Sequence, residues 1–213
     1  AAVIVEPIQG EGGDRHASPA FFRALRRLCS RYEAAFIVDE VQTGLGATGT
    51  FWAHSQWHLD EPADIVTWSK KFQLGGLHLR PEFMPAEAFR LFNTFLGDPL
   101  RAAQAEVILE VVERDQLVAH TQRTGERLLA ALEGLVDRHP AIFSQARAAG
   151  TFAAIDACDT ATRDRLLYLA RQSGLEAGGS GDRSIRFRPA LVFGARHVDE
   201  AVERLDAAAA ACR

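Results

Sequence analysis

Three short runs that are apolar on both faces constrain this chain most: Val3-Ile4-Val5, Ala35-Phe36-Ile37-Val38 and Ile65-Val66-Thr67-Trp68. A strand with one wet face alternates apolar with polar residues, whereas a strand covered on both sides does not. Between the first two runs, Ser18-Pro19 has the chemistry of a helix opening, with a capping hydroxyl followed by a proline in the first turn. Phe22, Leu25, Leu28 or Cys29, and Tyr32 then recur at helical spacing. Covered strands separated by a helix predict a parallel α/β sheet, whose ligands collect at the carboxyl ends of the strands. Two chemically capable stretches sit at such ends: Asp39-Glu40 closes the second run and Ser69-Lys70-Lys71 follows the third.

The rest of the chain reads differently. From Asp98-Pro99 onward long helices are expected, one with Val107, Ile108, Val111 and Val112 on its stripe, another with Leu128, Leu129, Leu132, Leu135 and Val136, stopped at His139-Pro140. A strand at Thr151 to Ile155, a helix from about Thr162 to Gln172, a strand at Ser184 to Phe187 and a final alanine-rich helix complete an α+β unit. The domain boundary is placed near residue 100, giving 1–100 as part of a larger domain and 101–213 as a small carboxyl-terminal one. Gly178-Gly179-Ser180-Gly181 precedes a strand rather than a helix, so it reads as a turn and not as a phosphate cradle.

Bulk properties narrow the function classes. The net charge of −4 is spread along 213 residues without a basic run, which gives no footprint for nucleic acid or an anionic membrane. No apolar stretch approaches a membrane span, and a soluble cytoplasmic protein is expected. Cys29, Cys158 and Cys212 are odd in number and far apart, and the histidines lack metal-ligand spacing, so neither a disulfide framework nor a metal site is expected. Phe51, Trp52 and Trp57 are expected to pack in the core. Ala1 opens directly onto the first apolar run without an initiating methionine, which reads as a cropped chain.

Lysine occurs only as the pair Lys70 and Lys71, against 22 arginines. A guanidinium stays protonated, whereas a desolvated lysine amine can lose its proton and attack a carbonyl. The order strand, Asp39-Glu40-Val41-Gln42-Thr43-Gly44, strand, Ser69-Lys70 resembles the class III, or omega, aminotransferases. So do Glu6-Pro7-Ile8-Gln9-Gly10-Glu11-Gly12-Gly13 and the stretch Arg90 to Pro99. The resemblance covers the whole chain but only the later half of a family member. It implies the aspartate aminotransferase-like fold (fold type I) and the cofactor pyridoxal 5′-phosphate (PLP), held covalently by Lys70, with Lys71 a bystander. It further implies Asp39 on the pyridine nitrogen, Gln42 beside the phenolic oxygen, and Thr94 on the cofactor phosphate of a neighbouring subunit, hence a homodimer with shared sites.

Ser184 to Pro189 alternates so that Arg186 and Arg188 share one face, with Ile185 and Phe187 on the other. Taken alone, that alternation fits two solvent-facing arginines on an edge strand. The resemblance assigns Arg186 to a substrate α-carboxylate and Glu11 to covering it when an omega-amine donor is bound. Since an unpaired buried guanidinium costs about 3–5 kcal/mol, such a cover is electrostatically sensible. The implied donor is 4-aminobutyrate, with L-lysine the alternative, and the implied acceptor is 2-oxoglutarate. Two rival readings are a non-catalytic homologue serving as a dimerisation partner and a lyase that uses Lys70 without PLP; in the latter Asp39 would have no pyridine nitrogen to hold.

Overall fold

The computed structural model describes residues 1–212. It opens with β1 (Ala2–Val5), the short pair β2 (Ile8–Gln9) and β3 (Arg15–His16), α1 (Pro19–Arg31) and β4 (Ala35–Asp39), followed by β5 (Ile65–Trp68) and β6 (Gly76–Leu79). The second part contains α2 (Pro99–Arg114), α3 (Leu117–Arg138), β7 (Phe143–Ala149), β8 (Phe152–Ala157), α4 (Thr160–Gln172), β9 (Gly178–Ser180), β10 (Ser184–Phe187) and α5 (Ala195–Ala210).

The three apolar runs form the parallel part of one sheet in the order β1-β4-β5-β6, with β1 on β4 and β4 on β5 parallel and β6 antiparallel to β5. Phe36 and Val38 of β4 are fully buried, and Phe22 and Cys29 of α1 close over them with Trp57. Ser18 caps α1 as expected, accepting from the Phe21 amide at 3.3 Å. Register pairs Asp39 with Thr67, so the ends that carry Asp39 and Lys70 lie side by side.

A second, antiparallel sheet runs β7-β8-β10-β9. Helices α3, α4 and α5 cover it through Leu128, Leu132, Leu135, Leu166, Val198 and Leu205, all essentially inaccessible to water. Gly178–Ser180, expected to be only a turn, is its edge strand β9, and the turn proper is at Gly181. As a consequence β10 is an inner strand, and Arg186 is not the edge-strand arginine that alternation alone allowed. Among the described residues no helix is long and apolar enough to cross a membrane.

His139, at the end of α3, joins that helix to α5: its Nε2 lies 2.5 Å from Asp206, which also accepts from Arg138. The His139 contact, with Arg138 beside it, holds the Asp206 carboxyl below the usual carboxylate range. A lowered folded-state pKa contributes stability that is complete above the unfolded value and is lost as pH falls through the folded one. The wild type is therefore expected to lose stability on acidification below about pH 4 more steeply than Asp206→Asn. Denaturant midpoints at pH 7 and pH 3 measure this, and parallel curves would show that the contact carries no linkage.

Candidate active site

The loop between β2 and β3 carries Glu11, and three interactions shape it. Gly10 has no side chain to spare: a Cβ there would meet the Gln42 amide at 2.7 Å. Gln42 Nε2 instead donates to Glu11 Oε1 at 3.1 Å, and Arg186 Nη1 donates to the same oxygen at 2.5 Å. The Arg186 hydrogen bond is the main reason the Glu11 carboxyl sits below its ordinary pKa; desolvation opposes it, and the Gln42 hydrogen bond assists. The Glu11 side chain is 67% exposed and that of Arg186 23%. The Glu11 side, open to water, is weakly held and can leave, whereas the mostly covered Arg186 then needs another anion in its place.

Glu11, Gln42, Lys70 and Arg186 line one cavity of about 750 Å³, whose other wall is apolar: Val107, Ile108 and Val111 from α2, with Leu191 and Val192 opposite. Lys70 follows β5 in a short helical turn, Lys70–Phe72, with its own backbone in the left-handed region at φ 53°. Such a conformation is uncommon for a long side chain and often marks a functional position. Its amine has no hydrogen-bond partner among the described residues and is exposed. It also lines a second cavity of about 560 Å³, formed with Ser69 and Gln73 on one side and Asn93, Phe95 and Gly97 on the other.

Lys71, set aside in the sequence as a bystander, is the more covered of the two. Its ammonium donates to the Pro189 carbonyl at 2.7 Å, and burial, reinforced by Arg188, lowers its pKa. That amine is committed to tying the turn after β5 to the segment after β10.

Asp39 stands apart from this group. It opens onto a separate cavity of about 420 Å³ with Val5, Pro7, His16 and Phe22. One carboxylate oxygen accepts from the Val41 amide at 2.9 Å and from the Thr67 hydroxyl at 3.2 Å; the other accepts nothing among the described residues. A carboxylate oriented through one oxygen and free at the other fits a ring-nitrogen partner. With an unengaged amine ending the adjacent strand, the donor set suits an aldehyde-bearing pyridine cofactor. Thr94 is brought to neither Lys70 nor Asp39. It lies in the exposed turn 94–97, and its neighbours Asn93 and Phe95, not Thr94 itself, line the Lys70 cavity.

Three features around the site are absent from the sequence reading. Glu40 is fully buried and accepts from the His54 backbone and ring and from the Thr43 hydroxyl, so the second acid of the motif holds the loop after β4. Asp14, also fully buried, receives both Nη2 bonds of Arg188 at 2.7 and 2.8 Å, while Arg147 donates to the Gly13 and Asp14 carbonyls. Ser180 contacts the Glu11 loop directly. The only sequence signal was the density of small and charged residues in Gly10 to Arg15 and Gly178 to Arg188.

The family model described as Aminotransferase class-III matches residues 1–209. The chain is 48% identical over 197 residues to the mitochondrial 4-aminobutyrate aminotransferase of Mus musculus, covering 92% of this chain and 39% of that protein. It is 46% identical over 206 residues to the 4-aminobutyrate aminotransferase of Dictyostelium discoideum, covering 97% and 42%. Among solved structures it is similar to a lysine aminotransferase from M. tuberculosis, with a TM-score of 0.92 and 35% identity over 99% of this chain and 49% of that one. The chain thus spans well under half the length of the curated relatives described.

Proposed function

Since the chain belongs to the class III aminotransferases, which depend on pyridoxal 5′-phosphate, we propose that within its complete protein it moves the terminal amine of 4-aminobutyrate to 2-oxoglutarate, giving an aldehyde and glutamate. The observation that carries this reading is the Glu11–Arg186 pair in one cavity with Lys70. A two-substrate enzyme of this kind must accept an acceptor with a carboxylate beside the reacting carbon and a donor without one. A guanidinium that its own carboxylate can cover meets both needs.

Lys70 would hold the cofactor covalently, with Asp39 at its ring nitrogen and Gln42 beside its phenolic oxygen. Bound there, the cofactor supplies an electron sink for the donor's carbanion. The chain does the rest. The Lys70 amine would take and return the proton at the amine-bearing carbon, and Asp39, anchored by Val41 and Thr67, would offer its free oxygen to the ring nitrogen. Arg186 grips the α-carboxylate of 2-oxoglutarate when Glu11 swings out. The apolar wall of Ile108, Val111 and Leu191 would lie along the carbon chain of the substrate.

A homodimer with shared sites belongs to the same proposal, as does a cytoplasmic location. Thr94 lies among exposed apolar side chains, Phe89, Phe92, Phe95 and Leu96, a surface that favours a second copy and would carry the threonine hydroxyl to a neighbour's cofactor phosphate. L-Lysine is the second donor, favoured by the likeness to the lysine aminotransferase. Borohydride reduction of the complete, cofactor-loaded protein, followed by peptide mapping, is expected to place the phosphopyridoxyl label on Lys70. Donor assays are expected to rank 4-aminobutyrate above L-lysine. An unlabelled Lys70 overturns the catalytic reading, and the reverse ranking overturns the donor.

A further inference from the structure

The Glu11 side chain is loosely held, yet the backbone beneath it is not. Ser180 is 4% exposed and lies at the end of β9; its hydroxyl donates to the Gly10 carbonyl at 2.5 Å and accepts from the Gly13 amide at 3.0 Å. One residue on, the Gly181 amide donates to the Glu11 carbonyl at 3.1 Å. The two loops touch backbone to backbone: Gly181 is at φ 51°, and a Cβ there would fall 2.8 Å from the Gly13 Cα. A single hydroxyl from the carboxyl-terminal sheet therefore grips the Glu11 loop on both sides of that residue. Nothing in the reaction chemistry requires a hydroxyl at this place.

We propose that Ser180 is a positioning residue: it fixes the backbone from which Glu11 swings, so that the carboxylate returns to Arg186 after each departure. This inference rests on the reading of Glu11 as a removable cover, and it assigns that cover's hinge to a residue 170 positions from Gly10 in sequence. Without the hydroxyl, the loop is still tied to the second sheet by Arg147 and by the Asp14–Arg188 pair, so it loosens rather than detaches.

The test uses the complete, cofactor-loaded protein and follows each half-reaction separately in single turnovers. Ser180→Ala is expected to slow the half-reaction with 4-aminobutyrate, which needs Arg186 covered, roughly tenfold. The half-reaction with 2-oxoglutarate, in which Glu11 is displaced, is expected to stay within about twofold. Ser180→Cys, which keeps a weak donor and acceptor, should fall between. Independently of turnover, amide exchange measured by mass spectrometry is expected to accelerate about tenfold in the peptide containing Gly13. Equal losses in both half-reactions, or unchanged exchange at Gly13, overturn the proposal. Glu11→Gln serves as the reference: if it does not itself split the half-reactions, the cover reading fails and takes the Ser180 role with it. A split in Glu11→Gln without one in Ser180→Ala removes the Ser180 role alone.

Discussion

Lys70→Ala in the complete protein is expected to lower amino transfer by a factor on the order of 10⁴ or more, because in the proposed reaction one amine would serve as covalent holder and proton carrier. Lys71→Ala is expected to retain activity within about tenfold. The two lysines are adjacent, and the structure gives each a different commitment. Lys71 is the partly buried one with the lowered pKa, which by electrostatics alone would make it the stronger candidate nucleophile. Its geometry argues otherwise: the ammonium is spent on the Pro189 carbonyl at 2.7 Å, and losing it loosens a link between the turn after β5 and the segment after β10. Both lysines line the cavity of Glu11 and Arg186, but Lys70 has no such bond and stands in a left-handed turn at the end of a parallel strand. Lys70→Arg should be as inactive as Lys70→Ala, since the guanidinium keeps its proton. Initial rates with 4-aminobutyrate and 2-oxoglutarate separate the variants, and an active Lys70→Ala beside a dead Lys71→Ala would exchange the assignment.

How far the sequence revealed this depends on what each residue's signal measures. The parallel strands were legible because Val3 to Val5, Ala35 to Val38 and Ile65 to Trp68 are continuous β-branched or aromatic runs, although the expected cover on both faces is incomplete in this chain: Ile4 is 62% exposed and only Phe36 and Val38 are fully buried. β7 was not, because Ser144-Gln145-Ala146-Arg147-Ala148-Ala149 has no β-branched residue and carries an irregularity between Ser144 and Arg147, with Gln145 at φ 50°. β6 was missed behind Gly75-Gly76, and β9 looked like a turn because glycine signals both a turn and a close backbone approach. In the site, Glu11, Gln42, Lys70 and Arg186 were named through family motifs, and the structure brings these four together. Asp39 and Lys70 end neighbouring strands but open onto different cavities, which register alone does not reveal. The seam of Asp14, Arg147, Ser180 and Arg188 had no local signature, because its partners are more than 130 residues apart in sequence.

The largest stability effect is expected from Asp64, which holds the start of β5 to its neighbours. It is 5% exposed and accepts four hydrogen bonds: Arg26 Nη1 at 2.9 Å and Nη2 at 3.2 Å, Arg80 at 3.1 Å, and the Phe36 amide of β4 at 2.7 Å. Arg26 comes from α1, is itself 4% exposed, and lies over the Phe36 ring, so the carboxylate joins helix, strand and loop at one point. Asp64→Ala leaves a buried guanidinium with only Glu61 as a partner and orphans a strand amide. The expected cost is about 3–5 kcal/mol, a fall of roughly 10 °C in Tm for a chain of this size. Such a loss does not mean that the ion pair itself contributes that much, since taking two charges out of water offsets much of their attraction. The double variant Arg26→Met with Asp64→Leu therefore separates the two meanings. It is expected to recover at least half of the loss, because the unpaired charge is gone and apolar volume replaces it, although the Phe36 amide stays unbonded. Denaturation midpoints for Arg26→Met, Asp64→Leu and the double variant complete the cycle. A double variant as unstable as Asp64→Ala would mean that the bond to Phe36, which aligns β4 beside β5 and thus Asp39 beside Lys70, matters more than the pairing of charge.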